Sequence, residues 1–258
     1  MKFSKYQGTG NDFVMIDNRN QIFPKANLKL IEHLCDRRFG IGADGLILLE
    51  NEADFDFKMV YYNSDGNQST MCGNGGRCLV AFAKKLNLIT NQATFNAIDG
   101  SHHATINQNG NISLQMKDVD QIKIESKYVF LDTGSPHHVQ LVTNLQNFDV
   151  ETIGRQIRTS DLYGNEGSNI NFANQISDNH FAIRTYERGV ENETLSCGTG
   201  ATATAIAMHA TNKTDKNKIT IEVQGGQLKV SFDVENNKYI NVFLEGPAEL
   251  VFEGEIEL

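Results

Sequence analysis

Hydrophobic positions along the chain follow two alternating patterns. Short runs rich in β-branched and aromatic residues, each ending near Gly, Asn or Asp, predict strands, and longer stretches with helical periodicity predict helices. The predicted strands are 13–17, 46–49, 57–62, 112–116, 128–132, 180–186, 218–223 and 239–244. The predicted helices are 27–38, 75–86, 149–159 and 199–211. Because hairpins and crossovers are mixed in this order, the pattern indicates an α+β fold.

Two stretches of the chain nearly repeat each other: "MCGNGGRC" at 71–78 and "SCGTGATA" at 196–203. Their cysteines, Cys72 and Cys197, are 197 − 72 = 125 residues apart, and "TGNDFV" at 9–14 resembles "TGSPHHV" at 133–139. Further residues match at the same offset: Tyr61 and Tyr186, Asn67 and Asn192, Gly73 and Gly198, Gly75 and Gly200. The repeat predicts two similar domains, 1–116 carrying Cys72 and 117–246 carrying Cys197.

Each of these cysteines precedes a helix that is apolar on nearly all sides, which is typical of a helix buried in its own domain. The start of such a helix carries N–H groups without helical partners. These groups stabilise a thiolate and attract an anion. The glycines after each cysteine let a ligand approach the backbone closely. Each half therefore offers a thiol beside a site for a carboxylate.

Two such thiols on opposite faces of one substrate suit the inversion of an amino-acid α-carbon. One cysteine, as thiolate, removes the α-proton, and the other, as thiol, delivers a proton to the opposite face. The helix N-termini stabilise the charge that moves onto the carboxylate. The remaining cysteines, Cys35 and Cys78, are interpreted as small core residues.

Composition limits the alternatives. A chain of 258 residues with 40% hydrophobic and 21% charged residues is typical of a folded protein, and its net charge of −9 argues against nucleic-acid binding. No apolar run reaches membrane-spanning length and no signal peptide is recognisable, so a cytoplasmic protein without a membrane partner is expected. Four cysteines without a C-x-x-C pair predict neither a disulfide framework nor a metal site. No pattern for a pyridoxal-binding lysine or a phosphate cradle is present, so no cofactor is expected.

With these motifs in view, the chain resembles the diaminopimelate epimerases over essentially its whole length. The motifs are "GTGNDF" (8–13), "RRFGIGADGL" (37–46), "YYNSDG" (61–66), "MCGNGGRC" (71–78), "TGSPHHV" (133–139), "EGSNINF" (166–172) and "ERGVENETLSCGTGATA" (187–203). The resemblance implies conversion of LL-2,6-diaminopimelate to the meso isomer, for lysine and peptidoglycan synthesis, without metal or coenzyme. It also implies two pseudo-symmetric domains, each a mixed, mostly antiparallel sheet curled around a central helix, with the active site in the cleft between them. The C-terminal strand, 247–258, would rejoin the first domain, and the enzyme would be a homodimer.

The resemblance also assigns roles to residues of this chain. Cys72 and Cys197 would be the acid–base pair, with Cys72 acting as the base on the LL isomer. His137 and Glu187 would contact the reacting amino group. The N–H groups that hold the reacting carboxylate would be those of Gly73, Asn74, Gly198 and Thr199. The residues that recognise the distal end of the substrate would be Asn11, Asn63, Asn169 and Arg188.

The sequence departs from the family pattern at two positions. Ser135 stands where many members have Asn, and Gly45 stands where some have Gln, so position 45 can make no side-chain contact. Of the adjacent His137 and His138, only one is expected to line the site, because neighbouring strand residues point to opposite faces. The "SHH" stretch at 101–103 has no counterpart and is interpreted as a solvated turn.

Three other functions remain open. A proline or hydroxyproline racemase would share the fold, but Asn74 replaces a histidine of that group and Glu187-Arg188 suits a substrate with a second charged end. A thiol–disulfide redox protein could use Cys72 and Cys197, although such proteins keep their cysteines in one local motif. A binding protein without activity is disfavoured by the intact cysteine pair.

Overall fold

The structure is a computed structural model that describes residues 1–69 and 71–257, and the chain divides into two compact units. Unit 1 comprises Met1–Leu114 and the segment from Gly246 onward, and unit 2 comprises Gln115–Glu245. Cys72 therefore belongs to unit 1 and Cys197 to unit 2. Within the described ranges, none of the helices has the length and apolar character that crossing a membrane requires.

The described residues form seventeen strands and four helices. The strands are β1 (Lys2–Gly8), β2 (Asn11–Asp17), β3 (Gly45–Glu50), β4 (Phe57–Asn63), β5 (Gln92–Ala97), β6 (Gly100–Ile106), β7 (Ile112–Gln115), β8 (Ile122–Ile124), β9 (Val129–Asp132), β10 (Pro136–Leu141), β11 (Asn169–Ser177), β12 (His180–Glu187), β13 (Asn192–Thr194), β14 (Lys218–Val223), β15 (Gly226–Glu235), β16 (Lys238–Gly246) and β17 (Glu249–Glu255). The helices are α1 (Leu28–Cys35), α2 (Gly73–Lys85), α3 (Val150–Arg158) and α4 (Gly198–Ala210).

The sheet of unit 1 is mixed and mostly antiparallel. Its strands are neighbours in the order β17, β1, β2, β3, β4, β5, β6, β7. Pairing is parallel between β2 and β3 and between β4 and β5, and the other neighbours are antiparallel. The two parallel pairs need crossover connections, which contain α1 and α2 respectively.

Unit 2 repeats this topology strand for strand. Its neighbours run β8, β9, β10, β11, β12, β14, β15, β16, with parallel pairing between β10 and β11 and between β12 and β14. The short β13 pairs with β12 as an addition. The connections of the parallel pairs contain α3 and α4. The prediction of a pseudo-symmetric α+β fold with a mixed sheet and a buried helix in each half is therefore confirmed.

Alternation along the strands gives each sheet two apolar faces. In β3, Leu46 and Leu48 pack with Ile31 of α1, whereas Ile47 faces α2. The approach of α2 is close, because a Cβ placed on Gly75 would lie 2.8 Å from Ile47 Cδ1. In unit 2, α4 packs against β9, β10, β11, β12, β14 and β15 and is buried along nearly its whole length. Both helices preceded by a repeat cysteine are therefore central to their units.

Two sequence predictions need correction. Residues 101–103 lie in strand β6 and not in a solvated turn, because the His102 ring stacks on Phe95 at 5.3 Å and its Nε2 pairs with Asp99 at 3.0 Å. The helix predicted at 27–38 ends at Cys35. The Asp36 carboxylate accepts hydrogen bonds from the backbone N–H groups of Arg38 and Phe39, which turns the chain out of the helix.

A test of this packing is the substitution Gly154→Ala in α3. A Cβ at this position would lie 2.5 Å from the Tyr186 Cβ, close to the backbone of β12, where it cannot move aside. Alanine improves helix propensity by about 1 kcal/mol, but overpacking costs about 1–3 kcal/mol, so a net loss of up to about 2 kcal/mol in the free energy of unfolding is expected in urea titrations. Gln156→Ala on the exposed face of α3 is the control and should change stability by less than about 0.5 kcal/mol. A Gly154→Ala variant that is more stable than wild type would contradict the packing.

Candidate active site

Cys72 is the N-cap residue of α2 and adopts an extended backbone, with φ −103° and ψ 124°. Its side chain is half-buried, and its Sγ donates a hydrogen bond to Asn11 Oδ1 over 3.6 Å. Gly73 and Asn74 form the buried first turn of α2. The N–H groups of a first turn have no carbonyl partners within the helix. The thiol therefore stands at the positive end of the helix, beside an amide carbonyl.

The loop before β2 brings Asn11 to this position. Thr9 and Gly10 have positive φ angles of 53° and 90°, so the chain turns sharply between β1 and β2, and Asn11 opens β2. Asn63 ends β4 opposite Gly45 in the antiparallel register. A Cβ on Gly45 would lie 2.5 Å from the ring of Tyr61 and 2.5 Å from the backbone carbonyl oxygen of Tyr62. This crowding explains why position 45 has no side chain.

A network of ionic side chains lies behind Asn11. Lys5 is buried, pairs with Asp12 at 2.9 Å and also donates to the Gly42 carbonyl. Arg37 donates to both oxygens of Asp12, at 2.9 and 2.7 Å, and pairs with Asp44 at 2.8 Å. Burial acts to raise the pKa of Asp12, but the hydrogen bonds from Arg37 and Lys5 outweigh it and lower that pKa to about 2. The network was not predicted, because its members are far apart in sequence.

Arg77, one turn into α2, is fully buried. Its guanidinium makes long contacts, to the Gly73 carbonyl at 3.4 Å, the Pro247 carbonyl at 3.4 Å and Thr9 Oγ1 at 3.5 Å. Burial lowers its pKa, and its charge interacts with Cys72 and Cys78. The arginine therefore links the turn that precedes Asn11 to the start of α2, and it adds positive potential near the Cys72 thiol.

Cys197 is the N-cap residue of α4, with φ −118° and ψ 108°, close to the backbone conformation of Cys72. Its Sγ accepts a hydrogen bond from the Gly200 N–H at 3.4 Å and lies 3.5 Å from Thr199 Oγ1. An N–H that points at sulfur stabilises the thiolate. Gly200 is required here, because a Cβ would lie 2.3 Å from Asn171 Oδ1.

His137 is fully buried on β10, and its hydrogen bonds determine its tautomer. Asn171 Nδ2 donates to His137 Nδ1 at 3.1 Å and to the His138 carbonyl at 2.9 Å, while Asn171 Oδ1 accepts from Thr185 Oγ1 at 2.9 Å. The His137 proton therefore resides on Nε2, which has no hydrogen-bond partner among the described residues. Burial lowers the pKa of His137 to about 3, so the ring is neutral near pH 7 and presents a buried N–H donor.

His138 faces the other side of β10, as expected for its neighbour in a strand. Its ring stacks on Tyr128 at 4.4 Å between centroids, and its Nδ1 lies 2.7 Å from the Tyr163 hydroxyl. Burial lowers its pKa to about 4. These contacts give His138 a packing role and leave His137 as the histidine beside the other predicted site residues.

Asn169 is linked to two other predicted site residues of unit 2. It pairs with His137 in the parallel register of β10 and β11. Its Nδ2 donates to Ser135 Oγ at 2.9 Å, and its Oδ1 accepts from the Arg188 backbone N–H at 2.9 Å. The bond to Ser135 Oγ therefore orients the Asn169 side chain, a role of Ser135 that the sequence did not indicate. Glu187 ends β12, where its Oε2 accepts a hydrogen bond from Thr194 Oγ1 at 3.0 Å.

The predicted residues thus fall into two local groups. Asn11 and Cys72 are in contact in unit 1, with Gly73 and Asn74 in the adjacent turn. In unit 2, Asn169 is hydrogen-bonded to Arg188 and paired in register with His137, while Cys197 begins the helix of Gly198 and Thr199. Across residues 1–69 and 71–257, no group of three or more His, Cys, Asp or Glu side chains is arranged to hold a metal ion.

Comparisons with known proteins show the family to which the chain is similar. The family model described as diaminopimelate epimerase matches residues 3–122 and 129–251. The diaminopimelate epimerase of Flavobacterium psychrophilum is 73% identical over 253 residues, covering 98% of this chain and 99% of that protein. The diaminopimelate epimerase of Chlorobaculum tepidum is 40% identical over 260 residues, covering 97% of this chain and 99% of that protein.

Two solved structures share the fold at low sequence identity. A phenazine biosynthesis protein of the PhzF family from Bacillus anthracis superposes with a TM-score of 0.80 at 16% identity, covering 100% of this chain and 99% of that one. A hydroxyproline epimerase from Agrobacterium vitis gives a TM-score of 0.68 at 13% identity, covering 98% of this chain and 91% of that one. At these identities the likeness shows the fold alone.

The duplicated fold, the two helices capped by cysteine and the close relatives together define an isomerase, of the class that inverts a stereocentre. The chain belongs to the diaminopimelate epimerase family.

The neutral state of His137 can be tested through the pH dependence of stability. Its pKa is lowered from 6.5 to about 3 by burial, so below pH 6.5 the unfolded chain binds a proton that the folded protein does not. The free energy of unfolding should therefore fall with decreasing pH, with His137 contributing up to about 1.4 kcal/mol per pH unit. In urea titrations between about pH 6 and pH 4, His137→Gln should reduce this slope by about that amount. Gln156→Ala, exposed on α3, should leave the slope unchanged, and equal slopes in all three proteins would contradict the assignment.

Proposed function

We propose that the protein converts LL-2,6-diaminopimelate to meso-2,6-diaminopimelate, with Cys72 and Cys197 as the two acid–base groups and with no cofactor taking part. The observation that carries the proposal is the duplicated cap: each cysteine is the N-cap residue of the buried helix of its unit, with nearly the same backbone conformation. Membership of the diaminopimelate epimerase family supports the choice of substrate. The product serves lysine and peptidoglycan synthesis.

The reaction needs two proton transfers on opposite faces of one carbon. One thiolate removes the α-proton, and the electron pair of the C–H bond moves onto the substrate carboxylate. The other thiol then donates its proton to the opposite face of the carbon, which inverts the configuration. At the end the two sulfurs have exchanged protonation states. The N–H groups of Gly73, Asn74, Gly198 and Thr199 supply positive potential where the charge develops on the carboxylate.

The surroundings of the two sulfurs differ in a way that suits this exchange. Cys72 Sγ faces the carbonyl oxygen of Asn11, which stabilises the thiol form. Cys197 Sγ accepts the Gly200 N–H, which stabilises the thiolate form. This pair of states suits removal of a proton by Cys197 and its replacement by Cys72. In the LL-to-meso direction Cys72 is the base. That direction starts from the opposite pair of states, with Cys72 as thiolate and Cys197 as thiol, which one turnover in the meso-to-LL direction produces.

Unit 2 supplies polar groups for the rest of the substrate. His137 is neutral and presents its Nε2–H, so it suits an acceptor atom at the reacting centre, and Glu187 supplies a carboxylate for the ammonium group. Arg188 has a guanidinium that can bind the distal carboxylate through two parallel hydrogen bonds. Its backbone is held by Asn169. Asn11 and Asn63 add amide groups for the same distal end.

A substrate with two charged ends separates this proposal from a proline or hydroxyproline racemase. Proline has no distal carboxylate for Arg188 to bind, and position 74 is asparagine in this chain. A thiol–disulfide redox function is disfavoured because each cysteine caps its own helix and neither belongs to a local C-x-x-C motif.

The proposal extends to the organisation of the protein. Units 1 and 2 would be the two catalytic lobes predicted as 1–116 with 247–258, and 117–246. The enzyme would act in the cytoplasm as a homodimer, as the family resemblance implies. Sedimentation equilibrium of the full chain would test the dimer, and a single species of monomer mass would contradict it.

The two-thiol mechanism can be tested by isotope exchange. Wild-type protein incubated with LL-diaminopimelate in heavy water should incorporate deuterium at the α-carbon with inversion, followed by NMR, and should leave L-proline unlabelled. Cys72→Ala and Cys197→Ala should each reduce turnover by about 10²- to 10⁴-fold, because each removes one proton-transfer group. Cys35→Ala, a change in the core of unit 1, should retain the rate. Persistence of activity in both of the first two variants would exclude the mechanism.

A further inference from the structure

The amide of Asn11 lies between a thiol and a carboxylate in unit 1. Its Oδ1 accepts the hydrogen bond of Cys72 Sγ over 3.6 Å, and its Nδ2 donates to Asp44 Oδ2 at 2.5 Å. Asn11 therefore links Asp44 to the thiol. None of the sequence motifs singled out Asp44, although it precedes Gly45 in "GADGL".

Asp44 itself is held firmly in place. Arg37 pairs with its Oδ1 at 2.8 Å, and the Asp12 backbone N–H donates to its Oδ2 at 3.2 Å. The Asp44 backbone is tied at both ends, since its N–H donates to the Asp12 carbonyl at 3.0 Å and its carbonyl accepts from the Ser64 N–H at 3.1 Å. The carboxylate thus presents a fixed acceptor to Asn11.

A carboxylate that is paired with arginine only accepts hydrogen bonds, whereas an asparagine amide has one donor end and one acceptor end. The end of Asn11 that meets Asp44 must therefore be Nδ2. The end that remains for Cys72 must be the carbonyl oxygen. The carboxylate decides which end of the amide the sulfur meets.

We propose that Asp44 is a positioning residue for the epimerisation: it orients the Asn11 amide so that a carbonyl oxygen, and not an N–H, faces Cys72 Sγ. The catalytic meaning of this arrangement rests on the proposed role of Cys72 as an acid–base group. The arrangement itself is a property of unit 1 and can be tested on the thiol alone.

The orientation matters because other groups near Cys72 favour the thiolate. The N-terminus of α2 and the buried Arg77 both place positive potential near its sulfur. Further ionisable groups surround this contact. Cys78 on the same helix interacts with Cys72, and Tyr6 on β1 interacts with Cys78. Asp12 on β2 pairs with Lys5 on β1 and with Arg37, which also pairs with Asp44 in the loop before β3.

A sulfur that serves as base in one direction and as acid in the other must be able to hold and release a proton at the same pH. A carbonyl oxygen at the sulfur favours the thiol and so offsets the helix and Arg77. An N–H in its place would add a third group that favours the thiolate. The Asp44–Asn11 pair therefore keeps the proton affinity of Cys72 in the range that both directions need.

The test is Asp44→Asn, with the pH dependence of Cys72 alkylation as the measurement. An amide at position 44 can also donate, so the Asn11 amide can rotate and present its Nδ2 to the sulfur. The rate of reaction with iodoacetamide is followed on the tryptic peptide 59–77, which contains no other cysteine. The apparent pKa of Cys72 should fall by about one pH unit, which is about tenfold more thiolate at a given pH below it.

Two comparisons separate the proposed route from a direct effect of charge. Asp56→Asn is the matched control, because Asp56 also accepts one backbone N–H, from Thr94 at 2.8 Å, and it should leave the apparent pKa of Cys72 unchanged. The second is a double-mutant cycle with Asn11→Leu, in which the effect of Asp44→Asn should largely vanish. An equal shift in both backgrounds would mean that Asp44 acts on the thiol directly, and the proposal would be overturned.

A measurement on the wild-type protein covers the case in which Asp44→Asn does not fold. In a sample labelled with ¹⁵N-asparagine, the Asn11 side-chain N–H protons should exchange with solvent at least about tenfold more slowly than those of the exposed Asn109, because they donate to a carboxylate. Equal exchange rates would overturn the proposal. Both readouts are independent of turnover, so they distinguish a failure of this inference from a failure of the two-thiol mechanism, which the Cys72→Ala and Cys197→Ala rates decide.

Discussion

The structure depends on one constraint: in each unit a helix is buried in the sheet core along most of its length, and its first turn starts at an N-cap cysteine. The N–H groups of a first turn have no carbonyl partners within the helix, so other groups must compensate for them. A cysteine at the N-cap supplies a sulfur there and places it in the positive potential of the helix. The close approach of helix and sheet requires glycine on the first turn, as Gly75 and Gly200 show. Packing and reactivity therefore have the same origin.

The two caps share a backbone conformation but not their hydrogen bonds. Cys197 Sγ accepts a hydrogen bond from the Gly200 N–H of its own helix, whereas Cys72 Sγ donates a hydrogen bond to Asn11, which lies outside the helix. A perfectly symmetric pair would favour the same protonation state on both sulfurs, whereas the proposed exchange of one proton needs opposite states. The differences between the repeats, chiefly the buried Arg77 and the Asp44–Asn11 pair in unit 1 and the Asn171–His137 pair in unit 2, lie close to the proposed acid–base groups and other site residues.

The sequence predicted the four helices and the strongly hydrophobic strands, because their periodicity reflects burial directly. It did not predict β1, β5, β6, β8, β10, β11, β13 or β15, most of which carry polar or charged residues at several positions. The histidines of β10 read as polar positions, although His137 and His138 are both buried. The helices α2 and α4 begin at Gly73 and Gly198, earlier than predicted, because glycine has low helix propensity and hides the first turn.

The candidate site was predictable where a motif repeats and not where contacts are distant in sequence. Cys72 and Cys197 stand out because the chain contains the same short pattern twice. The bond between Asn11 and Asp44 joins residues 33 positions apart, and that between His137 and Asn171 joins residues 34 apart. Such pairs leave no local pattern in a single sequence. Ser135 shows the same limit, since its function lies in holding Asn169.

Strand β17 has a consequence for how the chain acquires its structure during synthesis. It pairs antiparallel with β1, so unit 1 is built from both ends of the sequence, while unit 2 is continuous. On the ribosome, every residue of unit 2 emerges before β17 does. Until then β1 has one unpaired edge, which can recruit a strand from another molecule. The nascent chain thus keeps this edge exposed throughout the synthesis of its second half, and a chaperone that shields the edge would be needed until late in translation.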